Sequence, residues 1–226
     1  MLYLGLVAGV VAGNVAAHAA QIDAFRVFVA SLILIPLCLV GARLLYVATH
    51  WKRYRADLAL IWDRNDGGLS MLGGLPLAIP ISVPLLALIG LPFAAFWDVA
   101  GFTILTGMVL TRVGCLLNGC CSGRACESWF GVNLPDSRGV WKRRIPTQCL
   151  EAGWALILLA GFAAAWPFAP FPGAVFLGIM GAYALGRLVL ESTRELAVPG
   201  EITAGHIISG LMVLCSTAAL VVLWPR

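Results

Sequence analysis

Arg112, Asn118 and the thiols of Cys115, Cys120, Cys121 and Cys126 crowd into one short stretch at the end of a long apolar run. Ionisable groups are expensive near lipid, and where they occur they mark binding or proton handling. A second set comes from the other end of the chain. On the apolar run that begins near Pro172, Arg187, Glu191 and Arg194 follow at i, i+4 and i+7, so one helix face carries guanidiniums and a carboxylate. A guanidinium fork matches the oxygens of a phosphate. These residues predict a polar site that holds an anionic group at a membrane surface.

The elements that must position them are apolar. Hydrophobic residues make up 61% of the 226, charged residues only 12%, and the mean hydropathy is +0.93. A soluble globular chain is roughly 45–50% apolar, so this is an integral membrane protein. A spanning helix needs about 20 mostly apolar residues. The expected fold is therefore all-α and polytopic, one membrane domain over 1–226 with seven spans enclosing a lipid-accessible polar cavity. The spans are expected near 2–20, 27–48, 71–91, 95–117, 149–166, 173–193 and 203–223. The N-terminus lacks a basic region, so no cleavable signal peptide is expected. Pro76, Pro80 and Pro84 each remove a backbone donor, and the third span is expected to break or bend at a cavity.

Two polar connections carry much of the charge. The interfacial connection, 49–70, mixes Lys52, Arg53, Arg55 and Arg64 with Trp51, Tyr54 and Trp62, as expected of a segment lying on headgroups. The basic connection, 119–147, carries Arg124, Arg138, Lys142, Arg143 and Arg144. With seven spans, only Arg26 and Arg226 of the 15 lysines and arginines face the opposite side. The positive-inside rule makes the rich side cytoplasmic. The same charges attract anionic headgroups, at about 1 kcal/mol each near a charged surface.

Cys38 and Cys215 stand singly in apolar spans and read as small core residues. The spacing C-x4-C-C-x4-C of Cys115, Cys120, Cys121 and Cys126 is not that of a zinc ribbon, so no metal and no cofactor is expected. A structural disulfide and a thiolate activated by Arg112 and Arg124 both remain open. His206 reads as a hydrogen-bonded interfacial histidine or as a substitute base. Asn14 and His18 line a cavity or bond a neighbouring helix.

Five ordered pieces carry a family resemblance: Gly41-Ala42-Arg43-Leu44-Leu45-Tyr46-Val47, Gly67-Gly68-Leu69-Ser70-Met71-Leu72-Gly73-Gly74, Arg112-Val113-Gly114-Cys115-Leu116-Leu117-Asn118-Gly119, Pro146-Thr147-Gln148-Cys149-Leu150-Glu151, and Tyr183-Ala184-Leu185-Gly186-Arg187-Leu188-Val189-Leu190-Glu191-Ser192-Thr193-Arg194. From about residue 38 to 214 the chain resembles bacterial prolipoprotein diacylglyceryl transferases, and Asp98 also matches an aspartate of that family. The resemblance implies an enzyme of the bacterial inner membrane. Such an enzyme takes the diacylglyceryl group from phosphatidylglycerol and adds it to the thiol of a secreted lipoprotein precursor, releasing glycerol phosphate. Its partners would be an anionic phospholipid, the precursor and the membrane, with no nucleic acid. Because the precursor thiol is presented after export, the basic side would then face outward, against the positive-inside count.

On this reading the catalytic set is Arg112, Arg187, Glu191, Cys120 and Cys121. The headgroup set is Arg112, Asn118, Arg187, Arg194, Gly73, Gly74 and Asp98. Several polar family positions differ: Leu72 and Ile145 stand where the family has histidines, Leu150 replaces a tyrosine, Cys115 an asparagine and Cys120 a glutamate. Cys120 or Cys121 would then take over a proton-transfer or nucleophilic role. The alternatives are a non-catalytic lipid-handling protein and a membrane thiol–disulfide protein. The arginine pair favours the lipid readings, since redox chemistry has no evident use for it.

Overall fold

The structure, a computed structural model, describes residues 1–55, 57–62, 73–135, 139–194 and 202–225. Six of its helices are long and apolar enough to span a membrane: α1 (Leu2–Ala19), α2 (Ala24–Thr49), α5 (Phe93–Leu117), α6 (Thr147–Ala165, continued by a 3₁₀ turn to Phe168), α7 (Ala174–Glu191) and α8 (Ala204–Leu223). A short α3 (Trp51–Tyr54) follows α2. The third expected span is α4 (Gly74–Ile89), which has only 16 residues. At 1.5 Å per residue it is about 24 Å long, less than the roughly 30 Å hydrocarbon core. The protein is thus an all-α multi-pass membrane protein, with one small hairpin on its polar side. Strands β1 (Val132–Pro135) and β2 (Trp141–Arg144) pair antiparallel within the basic connection.

The boundary between the third and fourth spans is set by glycine. Gly90 ends α4 in the left-handed conformation, with φ at +67°. Pro92 then begins α5, since it cannot continue the preceding helix. The expected break in α4 does not occur. Pro76 lies in the first turn, where the missing N–H had no intrahelical partner, and Pro80 and Pro84 sit inside an unbroken helix. All three prolines lie on its exposed side. Gly74, Ala78, Ser82 and Leu86, four apart, form the buried side.

Helix α5 is the centre of the bundle, with α1, α6 and α7 packed around it. The approach of α1 depends on a small-residue stripe. Gly5, Gly9 and Gly13 are buried, and a Cβ on Gly9 would stand 2.6 Å from the Thr103 carbonyl oxygen. Packing of this kind holds membrane helices together where lipid supplies no hydrophobic drive. Gly73 and Gly74 serve the same end on α4. A Cβ on Gly73 would meet the Gly41 carbonyl at 2.5 Å, and one on Gly74 the Cys38 carbonyl at 3.0 Å. The structure thus gives the glycine pair a helix-packing position against α2 rather than an anion-facing one.

Beneath the polar side an apolar cavity of about 240 Å³ lies among α2, α4, α5, α7 and α8, with Trp97 and Phe176 at one end and Met108, Thr111 and Tyr183 at the other. Near the end of α2, Arg43 is buried and donates to the carbonyls of Ile61 (2.8 Å) and Leu60 (2.9 Å) of the interfacial connection. It also lies over the Tyr54 ring at 5.5 Å. Leu72, Arg64 and Arg138 lie outside the described residues.

Candidate functional site

Three helix ends meet on the polar side. Arg112 comes from the end of α5, Glu151 from the second turn of α6, and Arg187 and Glu191 from the last turns of α7, with Arg194 just beyond. Glu151, 2% exposed, is the hub. Its carboxylate receives Arg112 Nε at 2.6 Å, Arg194 Nη2 at 3.1 Å, and Arg187 Nη1. Glu191 closes the network, 2.8 Å from Arg187 Nη2 and 3.5 Å from Arg194 Nε. The termini suit the charges, since guanidiniums stand at the C-terminal ends of α5 and α7 and the carboxylate stands near the start of α6. Three guanidiniums and two carboxylates leave the cluster at net +1, so a single anion would balance it.

Of Arg112, Asn118, Arg187 and Glu191, expected to face one cavity, the structure brings Arg112, Arg187 and Glu191 together and adds Arg194, while Asn118 is not among the described ion-pair partners. Sequence reasoning missed Glu151, although it closes the quoted Pro146–Glu151 piece; a carboxylate one turn into an apolar span was the available signal. Also missed was Tyr183, which is buried against Arg112, donates to Met108 Sδ at 3.4 Å and lines the apolar cavity. It stands between that cavity and the arginines.

Asp98 is not part of this site. It sits 14 residues before Arg112 on the same helix, about 21 Å along the axis. There it accepts from the Gly173 amide at 2.6 Å and the Phe176 amide at 2.8 Å. Its carboxylate thus caps the start of α7 from a neighbouring helix, about four turns from the arginine cluster. Asn118, exposed, is the C-cap of α5 and bonds the Cys120 thiol rather than an arginine.

All seven cysteines are free. The Sγ atoms of Cys115, Cys120 and Cys121 lie within 4.8 Å of one another. The chain reverses after α5 through Gly119 (φ +66°) and Cys121 (φ +64°), which folds Cys120 back so that its amide donates to the Cys115 carbonyl at 3.0 Å. Gln148 Nε2 clamps the Cys120 carbonyl at 2.7 Å, and Ser122 Oγ donates to the Pro135 carbonyl at 2.9 Å. A hydrogen bond from the Cys115 thiol holds Cys121 down at about 5 against the opposing effect of burial, aided by Cys120 and by the nearby Arg112 and Arg194. Burial, with the adjacent Cys121 charge, pushes Cys120 up. Cys126 lies apart, beside Gly131. Cys38 packs against the core as expected, whereas Cys215 is exposed on α8.

The cysteine turn is stitched to the arginine cluster. The Arg124 backbone amide donates to the Thr193 carbonyl at 2.9 Å, Gly123 pairs with Arg194, and Thr147 and Thr193 hydroxyls meet at 2.9 Å. A Cβ on Gly123 would stand 2.6 Å from the Thr193 carbonyl, so only glycine fits this crossing. His206 is hydrogen-bonded. It completes a capping box with Thr203 at the start of α8, and Thr203 Oγ1 donates to Glu191 at 3.1 Å. Asn14 bonds its own helix at the Val10 carbonyl, and His18 is exposed.

The sequence model of the family described as "Prolipoprotein diacylglyceryl transferase" matches residues 1–222. The chain is 25% identical over 232 residues to a Clostridium kluyveri protein named "Phosphatidylglycerol--prolipoprotein diacylglyceryl transferase", covering 100% of this chain and 91% of that one. A Clostridium botulinum protein of the same name is 28% identical over 191 residues, covering 82% of this chain and 76% of that one.

Proposed function

The chain belongs to the prolipoprotein diacylglyceryl transferase family, and from that premise we propose that it transfers the diacylglyceryl group of phosphatidylglycerol to the thiol of a secreted lipoprotein precursor. The observation that carries this reading is the net-positive cluster of Arg112, Arg187 and Arg194 on Glu151, set beyond Tyr183 at the end of an apolar cavity. Acyl chains would lie in the cavity and the headgroup phosphate among the guanidiniums. In the reaction a carbon–sulfur bond forms as the glyceryl carbon–oxygen bond breaks. The electron pair passes to a phosphate oxygen, the thiol proton is released to solvent, and glycerol phosphate leaves. Arginines fixed at that oxygen stabilise charge that grows only as the bond breaks, which is where binding energy accelerates a reaction. Glu191 and Glu151 hold the guanidiniums in place, and Cys120 and Cys121 stand on the acceptor side.

The inner membrane is the proposed location, with the cysteine turn and basic hairpin on the exported face where a precursor thiol arrives. A non-catalytic lipid-handling protein is the second reading. It is favoured by Ile145, buried and apolar where the family resemblance calls for a histidine. One experiment separates the two. Purified protein is incubated with labelled phosphatidylglycerol and a lipobox peptide, and mass spectrometry follows the thioether product and glycerol phosphate. Both products are expected in equal amounts; lipid binding without either one overturns the transferase reading.

A further inference from the structure

The three convergent thiols have no use in headgroup binding. They also lack the pairing of a disulfide, since all are free. Their sulfurs lie within 4.8 Å of one another. Three ligands around a tetrahedral zinc, each at about 2.3 Å, would sit about 3.8 Å apart, so side-chain rotation of about an ångström closes the set. The backbone is already arranged for this. Cys121 holds a positive φ of +64°, which a residue with a Cβ rarely adopts and keeps only where its surroundings over-determine it. Clamps on the Cys120 carbonyl and on Ser122 fix the same turn.

We propose that Cys115, Cys120 and Cys121 form a three-thiolate zinc site whose open fourth position binds and deprotonates the acceptor thiol. Sulfur ligands select a thiophilic cation over magnesium or calcium. Three protein ligands, rather than four, distinguish a working zinc from a structural one. No fourth ligand joins the group among the described residues, and Cys121 is exposed, so the fourth position faces outward. Arg112 and Arg194 are the guanidiniums that act on Cys121, so the thiolates of this site would face a field of opposite sign.

The chemistry follows from coordination. A thiol bound to zinc gives up its proton to solvent and becomes a thiolate at neutral pH. That thiolate attacks the glyceryl carbon, the carbon–sulfur bond forms, and the carbon–oxygen pair moves to the phosphate held by the arginines. Zinc stays Zn²⁺ throughout and no electrons are exchanged. The metal thereby supplies the thiol activation for which this chain has apolar Leu72 and Ile145 at the family's histidine positions. The acceptor half of the proposal rests on the transferase reading; the zinc half does not.

The test uses the full chain in detergent, purified with reductant and without chelator. Elemental analysis is expected to find about one zinc per chain. Cys115→Ser, Cys120→Ser and Cys121→Ser should each lower that content about tenfold or more, while Cys126→Ser and Cys149→Ser should not. After cobalt replacement, the wild type should show thiolate-to-cobalt charge-transfer and tetrahedral d–d bands. A lipobox peptide should shift the d–d bands, and the same peptide with serine for its cysteine should not. Arg187→Lys should keep both the metal and the peptide-induced shift while losing lipid-derived product. Reduced wild-type protein without zinc or cobalt affinity overturns the metal site, and bound metal blind to the peptide thiol overturns the acceptor role. An intact site with a peptide-sensitive spectrum but no thioether product would instead sink the transferase reading.

Discussion

Glu151 holds three guanidiniums with one carboxylate, and that arrangement sets what each residue can tolerate. Glu151→Gln keeps the shape but leaves the cluster with three positive charges against one negative, in a buried setting. Removing one partner of a buried ion pair costs about 3–5 kcal/mol, so a clear fall in the thermal unfolding midpoint in detergent is expected together with loss of activity. An unchanged midpoint would show that Glu151 does not organise the site. Arg187→Lys is the opposite case. Lysine keeps the charge facing Glu151 and Glu191 but loses the planar fork that grips a phosphate with two parallel bonds. Folding is expected to survive and lipid-dependent product to disappear, and full activity in this variant would remove the arginines from the mechanism.

At the scale of elements, Asp98 and the α1 glycines bear on stability without touching the chemistry. Asp98 supplies two bonds to amides at the start of α7 that have no partner within their own helix. Asp98→Ala should lower stability by about 1–2 kcal/mol, as loss of a helix cap does, with turnover per folded molecule unchanged. A selective rise in KM for the lipid would return Asp98 to the headgroup site. Gly9→Leu must push α1 off α5, because its Cβ alone would stand 2.6 Å from the Thr103 carbonyl. Overpacking typically costs about 1–3 kcal/mol, and heating the variant in detergent should show the loss; an unshifted transition would mean α1 does not pack as described.

For the whole molecule, the open contest is between charge and function. Lys52, Arg53, Arg55, Lys142 and Arg143 share one face of the bundle, because α4 and α5 leave and return between their connections, the start of α4 at Gly74 lying beside the end of α5 at Thr111. The charge rule sends that face to the cytoplasm, but transfer to an exported precursor requires it outside. Lys142→Cys, at an exposed hairpin position in a chain whose seven native cysteines are replaced by serine, should react with a membrane-impermeant maleimide added to intact spheroplasts. Labelling only after the membrane is opened would place the hairpin in the cytoplasm and reject the proposed orientation. Outward placement would make this chain an exception to positive-inside, with the basic face serving to gather anionic headgroups.

What the sequence determined by itself was six of the seven expected spans and the α7 face carrying Arg187 and Glu191, with Arg194 falling just beyond the helix end. Apolar length and helical period are local properties, and nothing distant changes them. The departures came where distance along the chain and distance in space part company. Asp98 precedes Arg112 by four turns and so lies at the other membrane face, which no motif match reveals. The proline stripe of α4 points outward and leaves the helix unbroken, because the other side of that helix carries the packing. Glu151 became the hub only once α6 was placed between α5 and α7. The spacing C-x4-C-C argued against a metal, yet the left-handed turn at Gly119 and Cys121 gathers three sulfurs that an extended loop would scatter. Such convergence is decided by backbone reversal and long-range packing, which only the tertiary structure contains.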